Sequence, residues 1–329
     1  MKYRLIICLF AAALFTSSCE KENGPVAGPK YISFNASINA ALEYDVKSTK
    51  ADEGKFAEGT HNMGLWICNP DNSPIHNEFK NCKIEYTVNP DNSENWKFYS
   101  GNKIWEDAIP VDDVRALNIY SYYPYNEQVT DITAIPFTLG TQNYFYSEPV
   151  QFTEEYTGAD EVEVALVYKP VLTCIEIAVK ANVENAIAMD ELVLTDTQGE
   201  KIATKGTYNA ITGELAAGTE EMVGSISFQP QELFMLTPDD NTPKVTFIIP
   251  KYGNYNGNFK LSFKFNGQAG LSEYTIPAEI AAGTDGDLKE GKKYIITLQL
   301  NEAMKFESVE FKTVDDWNDV AIENDIEIK

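Results

Sequence analysis

Apolar and polar residues alternate along most of the chain after about residue 30, with the two-residue period of β-strands. Turn-forming Gly, Pro, Asn and Asp residues bound most of these runs, as in the Asn-Pro-Asp-Asn-Ser sequence at residues 69–73 and again at 89–93. We interpret the two copies as similar turns, not as units of a solenoid. No long segment has a helical period, so the pattern predicts an all-β protein built of β-sandwiches. The clearest runs are Ile32 to Ile38, Ile175 to Val179, Phe259 to Phe265 and Ile296 to Leu300.

The chain is longer than one hydrophobic core usually serves, which favours two domains. A polar, acidic stretch ends near Glu163, and a fresh apolar run follows the Lys169-Pro170 pair. We therefore expect one β-sandwich at residues 31–167 and a second at 168–329.

The first residues have the pattern of a secretory signal that ends at a lipid-accepting cysteine. Lys2 and Arg4 precede a short apolar run, and small residues lead directly into Cys19. We expect residues 1–18 to be a lipoprotein signal peptide, Cys19 to be diacylated and residues 19–30 to be a tether. The acidic residues after Cys19 resemble an export tag, which predicts an outer-membrane lipoprotein that is exposed at the cell surface.

Composition argues against several functions. The formal net charge of −24 disfavours nucleic acid and anionic membrane surfaces as partners. The two histidines, His61 and His76, lack metal spacing, and no catalytic motif occurs. The Asp285-Gly286-Asp287 loop is read as an exposed turn. We therefore expect neither an enzyme nor a cofactor or metal site.

Three cysteines remain once Cys8 and Cys19 are set aside. Cys174 lies in an apolar run and is expected to be a buried, small hydrophobic residue. Cys68 and Cys82 either form a disulfide across a hairpin or stay as free thiols.

A cluster of aromatic residues allows two interpretations. Exposed together, the rings would stack on sugars, so the chain would be a monomeric surface lipoprotein that binds a glycan or a host protein. Packed inward at alternate positions, they would fill the sandwich core, which we favour. The candidates are Trp96, Trp105, Tyr122, Tyr123 and Tyr125.

The two ends of the chain carry strands suited to exchange between subunits. A polar segment with Lys47 and Lys50 separates the first amphipathic strand from the rest, so cleavage there would release that strand and open a groove. An alternating tail could then fill the groove of a neighbour by β-strand addition. The candidate displaced strand has Ile32, Phe34, Ala36 and Ile38, and the candidate donor strand has Val320, Ile322, Ile326 and Ile328.

Several short motifs follow one another across the chain. They are Ile32-Ser33-Phe34, Ser48-Thr49-Lys50-Ala51, Gly64-Leu65-Trp66-Ile67, Tyr122-Tyr123-Pro124-Tyr125, residues 162–179, Gly291-Lys292-Lys293-Tyr294 and Val314-Asp315-Asp316-Trp317. In this order they resemble the fimbrillins, the FimA-type and Mfa-like pilus lipoproteins. The resemblance implies two transthyretin-like, Greek-key β-sandwich domains in tandem, proteolytic processing near Lys47 or Lys50, and assembly with other fimbrial subunits by strand exchange. It also implies a location in the fimbrium after processing.

Overall fold

The structure is a computed structural model that describes most of the chain after residue 30. The described part is all-β and has the two-layer packing of β-sandwiches, as the alternating pattern predicts. The described residues are 31–38, 56, 58–75, 79–98, 116–140, 143–152, 161–182, 187–199, 202–217, 222–250, 259–267, 270–276, 288, 291–303, 305–314 and 326–328.

The N-terminal part of the described chain forms one mixed sheet. Its strand order is β1-β9-β7-β5-β2-β3-β4, with β8 also paired to β5. The β1–β9 pair is parallel and the other pairs are antiparallel. The strands in this region, including β6 outside the sheet, are β1 Tyr31–Ile38, β2 Gly59–Cys68, β3 Cys82–Val88, β4 Glu94–Phe98, β5 Leu117–Tyr123, β6 Ile135–Thr138, β7 Phe145–Ser147, β8 Val150–Phe152 and β9 Glu161–Pro170.

The following strands form two sheets that enclose the larger core. One has the order β18-β10-β21-β22, and the other β20-β19-β11-β16-β23 with β17 paired to β11. The short strands β12 and β15 pair with each other. The strands are β10 Thr173–Ala181, β11 Ala188–Asp196, β12 Ile202–Ala203, β13 Lys205–Tyr208, β14 Leu215–Ala217, β15 Met222–Val223, β16 Ser225–Phe228, β17 Phe234–Met235, β18 Lys244–Ile249, β19 Phe259–Phe265, β20 Ser272–Thr275, β21 Lys293–Leu300, β22 Phe306–Val314 and β23 Ile326–Ile328.

The central strands of the first sheet are buried on both faces. On β2, Leu65 and Ile67 point into a core within the first sheet, while Trp66 and Cys68 point into the larger core that continues through β10, β11, β19 and β21. The alternating side chains of β5 divide in the same way. The internal strands of the first sheet pair on both sides, so its unpaired backbone groups lie on the edge strands.

A three-stranded sheet joins the two parts of the molecule. Strand β6 pairs with β13, and β13 pairs with β14. The fully buried ring of Tyr208, on β13, lies in the larger core beside Tyr144 of the first part. Strand β9 ends at Pro170, and β10 begins at Thr173. The predicted division of the chain at residue 168 stays a prediction.

The two Asn-Pro-Asp-Asn-Ser segments form the same turn. In each, the Ser amide and hydroxyl donate to the Asp carboxylate, at 3.0 and 2.6 Å, and the second Asn has a positive φ, 67° at Asn72 and 63° at Asn92. Local hydrogen bonding within the five residues is sufficient to set this geometry. Asn72 is additionally held by Asn118 and Tyr120, whose side chains donate to its side-chain oxygen Oδ1 at 2.9 and 2.5 Å.

In the described part of the chain, Cys68, Cys82 and Cys174 form no disulfide, so the Cys68–Cys82 disulfide is absent. The register of β2 and β3 places Cys82 opposite Leu65, three residues from Cys68. The two side chains also lie on opposite faces of the sheet, one in each core. Their sulfur atoms therefore cannot approach to bonding distance without a change in the sheet. Cys174 is buried, as predicted, and its burial raises the pKa of its thiol to about 12.

Tyr122 packs directly over Gly64, its partner on the neighbouring strand. A Cβ atom at residue 64 would lie 2.0 Å from the Tyr122 ring, so only glycine leaves room for it. The Tyr122 hydroxyl donates to Asn81 at 2.7 Å, which fixes the ring in place. We expect Gly64→Ala to destabilise the fold by about 1–3 kcal/mol, because the buried ring has nowhere to move. Urea denaturation of the purified protein measures this change.

Gly270→Ala is the matched control, since a Cβ atom there meets no atom within 4 Å. Equal midpoints for the Gly64 and Gly270 variants would contradict the packing argument.

Candidate functional site

Strand β1 lies at one edge of the first sheet and pairs only with β9 in the described part of the chain. The ladder is parallel and runs for all eight residues, from Tyr31 opposite Glu161 to Ile38 opposite Tyr168. An edge strand has one ladder of backbone hydrogen bonds, whereas an internal strand has two. The pairing order of the other strands therefore does not depend on β1.

Two side chains of β1 point into the core of the first sheet. Phe34 and Ala36 are 5% and 2% exposed, as their alternation predicts. The Phe34 ring packs on Trp96 and Phe98, with centroids 5.6 and 5.4 Å apart. Those two residues are on β4, at the opposite end of the strand order, so the sheet curls until its first and last strands meet. Phe34 thus closes the open side of the core.

The core behind Phe34 is rich in aromatic rings. The Phe56 ring contacts the rings of Tyr86, Phe145 and Tyr168 with edge-to-face geometry. The ring centroids of Tyr86 and Trp96 are 4.2 Å apart. Large rings in contact bury much apolar area, and each pair adds about 0.5–1.5 kcal/mol. Loss of β1 would expose this cluster to solvent on the side where Phe34 lies.

A buried polar network holds β9 to the centre of the sheet. The Ser121 hydroxyl donates to the Gly64 carbonyl at 2.9 Å and lies 2.5 Å from the Tyr168 hydroxyl, which also lies 3.0 Å from the Met63 sulfur. Burial raises the pKa of the Tyr168 hydroxyl, so it stays protonated. These bonds hold β9 independently of β1.

The end of the predicted donor segment is strand β23, which contains Ile326 and Ile328. It pairs with β16 through three residues, from Ile326 opposite Phe228 to Ile328 opposite Ile226, and ends the strand order of its sheet. A three-residue ladder at a sheet edge is much shorter than the eight-residue ladder of β1. Detaching β23 therefore costs few backbone hydrogen bonds.

Other predicted residues lie outside the described part of the chain. These are Cys19, Lys47, Lys50, Trp105, Val320 and Ile322, together with His76 and the Asp285-Gly286-Asp287 loop. Ile32 and Ile38 lie on β1.

The aromatic candidates do not form one exposed platform. Tyr122 is fully buried in the larger core, which removes it from any surface site. Trp96 and Tyr123 pack, partly buried, against the other core. Tyr125 is partly exposed and lies 5.9 Å below the Lys83 ammonium group. The strand period therefore sends neighbouring rings to opposite faces of the sheet.

A buried carboxylate that the sequence pattern did not indicate lies on β10. Glu176 contacts Lys293 at 2.6 Å and Lys244 at 2.9 Å, and its side chain is 8% exposed. Burial raises the pKa of this carboxyl, but Lys293 and Lys244 outweigh that effect and leave the pKa below its usual value. The three charges cross-link β10, β18 and β21, so we assign Glu176 a structural role.

Two further findings concern chemistry and membranes. Within the described ranges, no group of three or more His, Cys, Asp or Glu side chains is placed to hold a metal ion. No helix in that part of the chain is both long and apolar enough to cross a bilayer.

The chain belongs to the fimbrillin-like family, whose sequence profile matches residues 49–317. A proposed cell adhesion protein from Bacteroides uniformis has a similar solved structure, with a TM-score of 0.60 and 18% identity over 89% of this chain and 99% of that one. Another proposed cell adhesion protein, from Bacteroides ovatus, has a TM-score of 0.54 and 15% identity over the same shares of the two chains. These likenesses establish the fold. Among curated proteins, none matches this chain.

We expect Glu176→Gln to lower the free energy of unfolding at pH 7 by about 1–3 kcal/mol, since two lysines lose a buried anionic partner. Because the pKa of Glu176 is lowered in the folded protein, its ion pairs contribute fully to stability above the carboxyl pKa of the unfolded chain, about 4.3. This contribution is lost as the pH falls through the pKa that Glu176 has in the folded protein. The difference between wild type and variant should thus shrink below about pH 4. Urea titrations from pH 3 to 7 test this.

Glu302→Gln, at an exposed turn, is the control and should leave stability unchanged across the range. A deficit in Glu176→Gln that stays constant down to pH 3 would contradict the assignment.

Proposed function

We propose that this protein is a fimbrial subunit or fimbrillin-like surface adhesin that polymerises by β-strand exchange after proteolysis. The observation that carries the proposal is the edge position of β1, with Phe34 filling the gap between the first and last strands of its sheet. Family membership supports a role in fimbriae.

In the intact chain, β1 is held in place both by its covalent connection to the rest of the protein and by side-chain packing. Cutting after Lys47 or Lys50 makes β1 a separate peptide, so its dissociation becomes a concentration-dependent event. The loss of the Phe34 ring alone costs about 3–5 kcal/mol when nothing replaces it. The groove left beside β9 therefore favours a replacement strand with apolar residues at alternate positions.

The tail of a second subunit meets that requirement. Its alternating apolar residues Val320, Ile322, Ile326 and Ile328 match the period of the groove. The short β16–β23 ladder supports easy release of the tail. Because the tail of one subunit enters the groove of the next, the contact is heterologous and propagates as a filament.

We further propose that Cys19 carries lipid during export and that the precursor is an outer-membrane lipoprotein. Cleavage near Lys50 also separates the mature subunit from Cys19, so the anchor would serve delivery and the fimbrium would be the final location. The sequence around Cys19 supports this step.

We expect trypsin treatment of the soluble chain from residue 20 onward to remove β1 and produce oligomer ladders on unheated gels and filaments by electron microscopy. Replacing Lys47, Lys50 and Lys55 together by Gln should abolish both products, because trypsin then has no lysine or arginine to cut between β1 and β2. Ile326→Asp with Ile328→Asp should allow cleavage but yield monomers.

Lys264→Gln, which changes an exposed lysine of β19, is the control and should polymerise normally. A monomeric product after verified loss of β1, or normal filaments from the Ile326 and Ile328 variant, would contradict strand exchange by this tail.

Mass spectrometry of the cell-derived protein tests the processing scheme. We expect a diacylated Cys19 terminus in the precursor and a new terminus at Ser48 or Ala51 in the fimbrial fraction. An assembled subunit that retains acylated Cys19 would contradict a temporary anchor.

A further inference from the structure

A second groove lies far along the chain from β1, where two sheets of the larger core end side by side. It has a volume of about 470 Å³ and is lined by residues 272–274 of β20 and 305–309 at the start of β22. β20 ends the strand order of one sheet and β22 that of the other. The ring centroids of Tyr274 and Phe306 lie 6.0 Å apart across the groove.

The floor of this groove is apolar and incompletely covered. Tyr274, Phe306 and Val309 pack against the larger core, yet each keeps part of its surface exposed. The Phe306 ring also packs on the Phe263 ring of β19, with centroids 5.1 Å apart, so the floor of the groove is continuous with the core. Leu271, just before β20, is 56% exposed and extends the apolar surface. Such a floor gains free energy when another apolar side chain covers it.

The wall formed by β22 has an available backbone edge. This strand runs for nine residues and pairs only with β21 in the described part of the chain. A long edge strand is a template for pairing with another extended segment. The groove-lining segment from Lys305 to Val309, at the start of β22, spans about 14–17 Å, so a partner segment of four or five residues fits it.

The rim of the groove is acidic. Glu307 and Glu310 are exposed on β22, and Glu273 is exposed on β20, where it pairs with Lys260 at 2.8 Å. Lys305 is the one cation among the lining residues. Cross-strand pairs of opposite charge stabilise a sheet, and like charges destabilise it. A second copy of this chain would bring the same acidic edge, so it is a poor partner for the groove.

We propose that the edge of β22 is a binding site for an extended polypeptide of another protein, in which apolar residues alternate with polar positions that include lysine or arginine. The backbone of this segment would extend the β18-β10-β21-β22 sheet. Its apolar side chains would cover Tyr274, Phe306 and Val309, and its cations would face Glu307 and Glu310. The site is separate from the β1 groove and remains testable whether or not the subunit polymerises.

Fluorescence anisotropy with a blocked, labelled nonapeptide, Lys-Val-Thr-Val-Lys-Val-Thr-Val-Lys, tests the site on the full, uncleaved chain. We expect saturable binding, and binding about tenfold weaker for the matched peptide with glutamate in place of each lysine. Methylating alternate backbone nitrogens on the side that pairs should also weaken binding about tenfold, since strand addition depends on main-chain hydrogen bonds. Both peptide controls leave the protein unchanged.

The protein-side variant is Glu307→Gln with Glu310→Gln, which should reduce affinity for the lysine peptide several-fold. Glu127→Gln, an exposed change on the first part of the molecule, is its control and should have no effect.

No binding at millimolar peptide, equal affinity for the methylated peptide, or unchanged affinity in the double variant would overturn the proposal. Displacement of the peptide by neutral maltotetraose would reassign the groove to a glycan. A dimer that the peptide dissociates in sedimentation would reassign it to a second copy.

Discussion

The rest of the structure depends on the burial of the central residues of β2 and β5 on both faces. Alternate residues of these two strands enter two different cores, one enclosed by the curled sheet and one shared with the following sheets. Strands β3, β4 and β9 instead keep alternate side chains exposed or partly exposed on one face. Burial on both faces explains the local details: Gly64 admits the Tyr122 ring, and Ser121 satisfies the buried Tyr168 hydroxyl. Most polar groups in such a position find a partner within the protein, since water is excluded.

The two terminal strands differ in how firmly they are held. β1 has an eight-residue ladder and the Phe34 contact with Trp96 and Phe98, whereas β23 has a three-residue ladder. Under the proposed strand exchange, the firmly held β1 would keep the uncleaved chain closed, and the weakly held β23 would be the strand that leaves. The open edge of β22 differs from both, because its apolar floor is exposed while the chain is intact.

Sequence pattern predicted the inward position of Phe34 and Ala36, because alternation depends only on the local geometry of a strand. It did not predict that Phe34 meets Trp96 and Phe98, since this contact requires the curling of a seven-strand path. The distance between Cys68 and Cys82 along the chain left a disulfide open, but strand register placed them on opposite faces. Glu176 stands in an apolar run with no local sign of its partners, because Lys244 and Lys293 come from two other strands.

By itself, the sequence determined the all-β class, the turns of the two Asn-Pro-Asp-Asn-Ser segments and the family, because these depend on local periodicity, local hydrogen bonds and the order of short motifs. Only the tertiary structure decided which strands lie at edges, which rings are buried and where an apolar floor remains open. Those properties are set by strand order and sheet curvature, which bring together residues far apart in the chain. The candidate displaced strand was visible as a pattern, but its edge position, on which exchange depends, came from its pairing with β9.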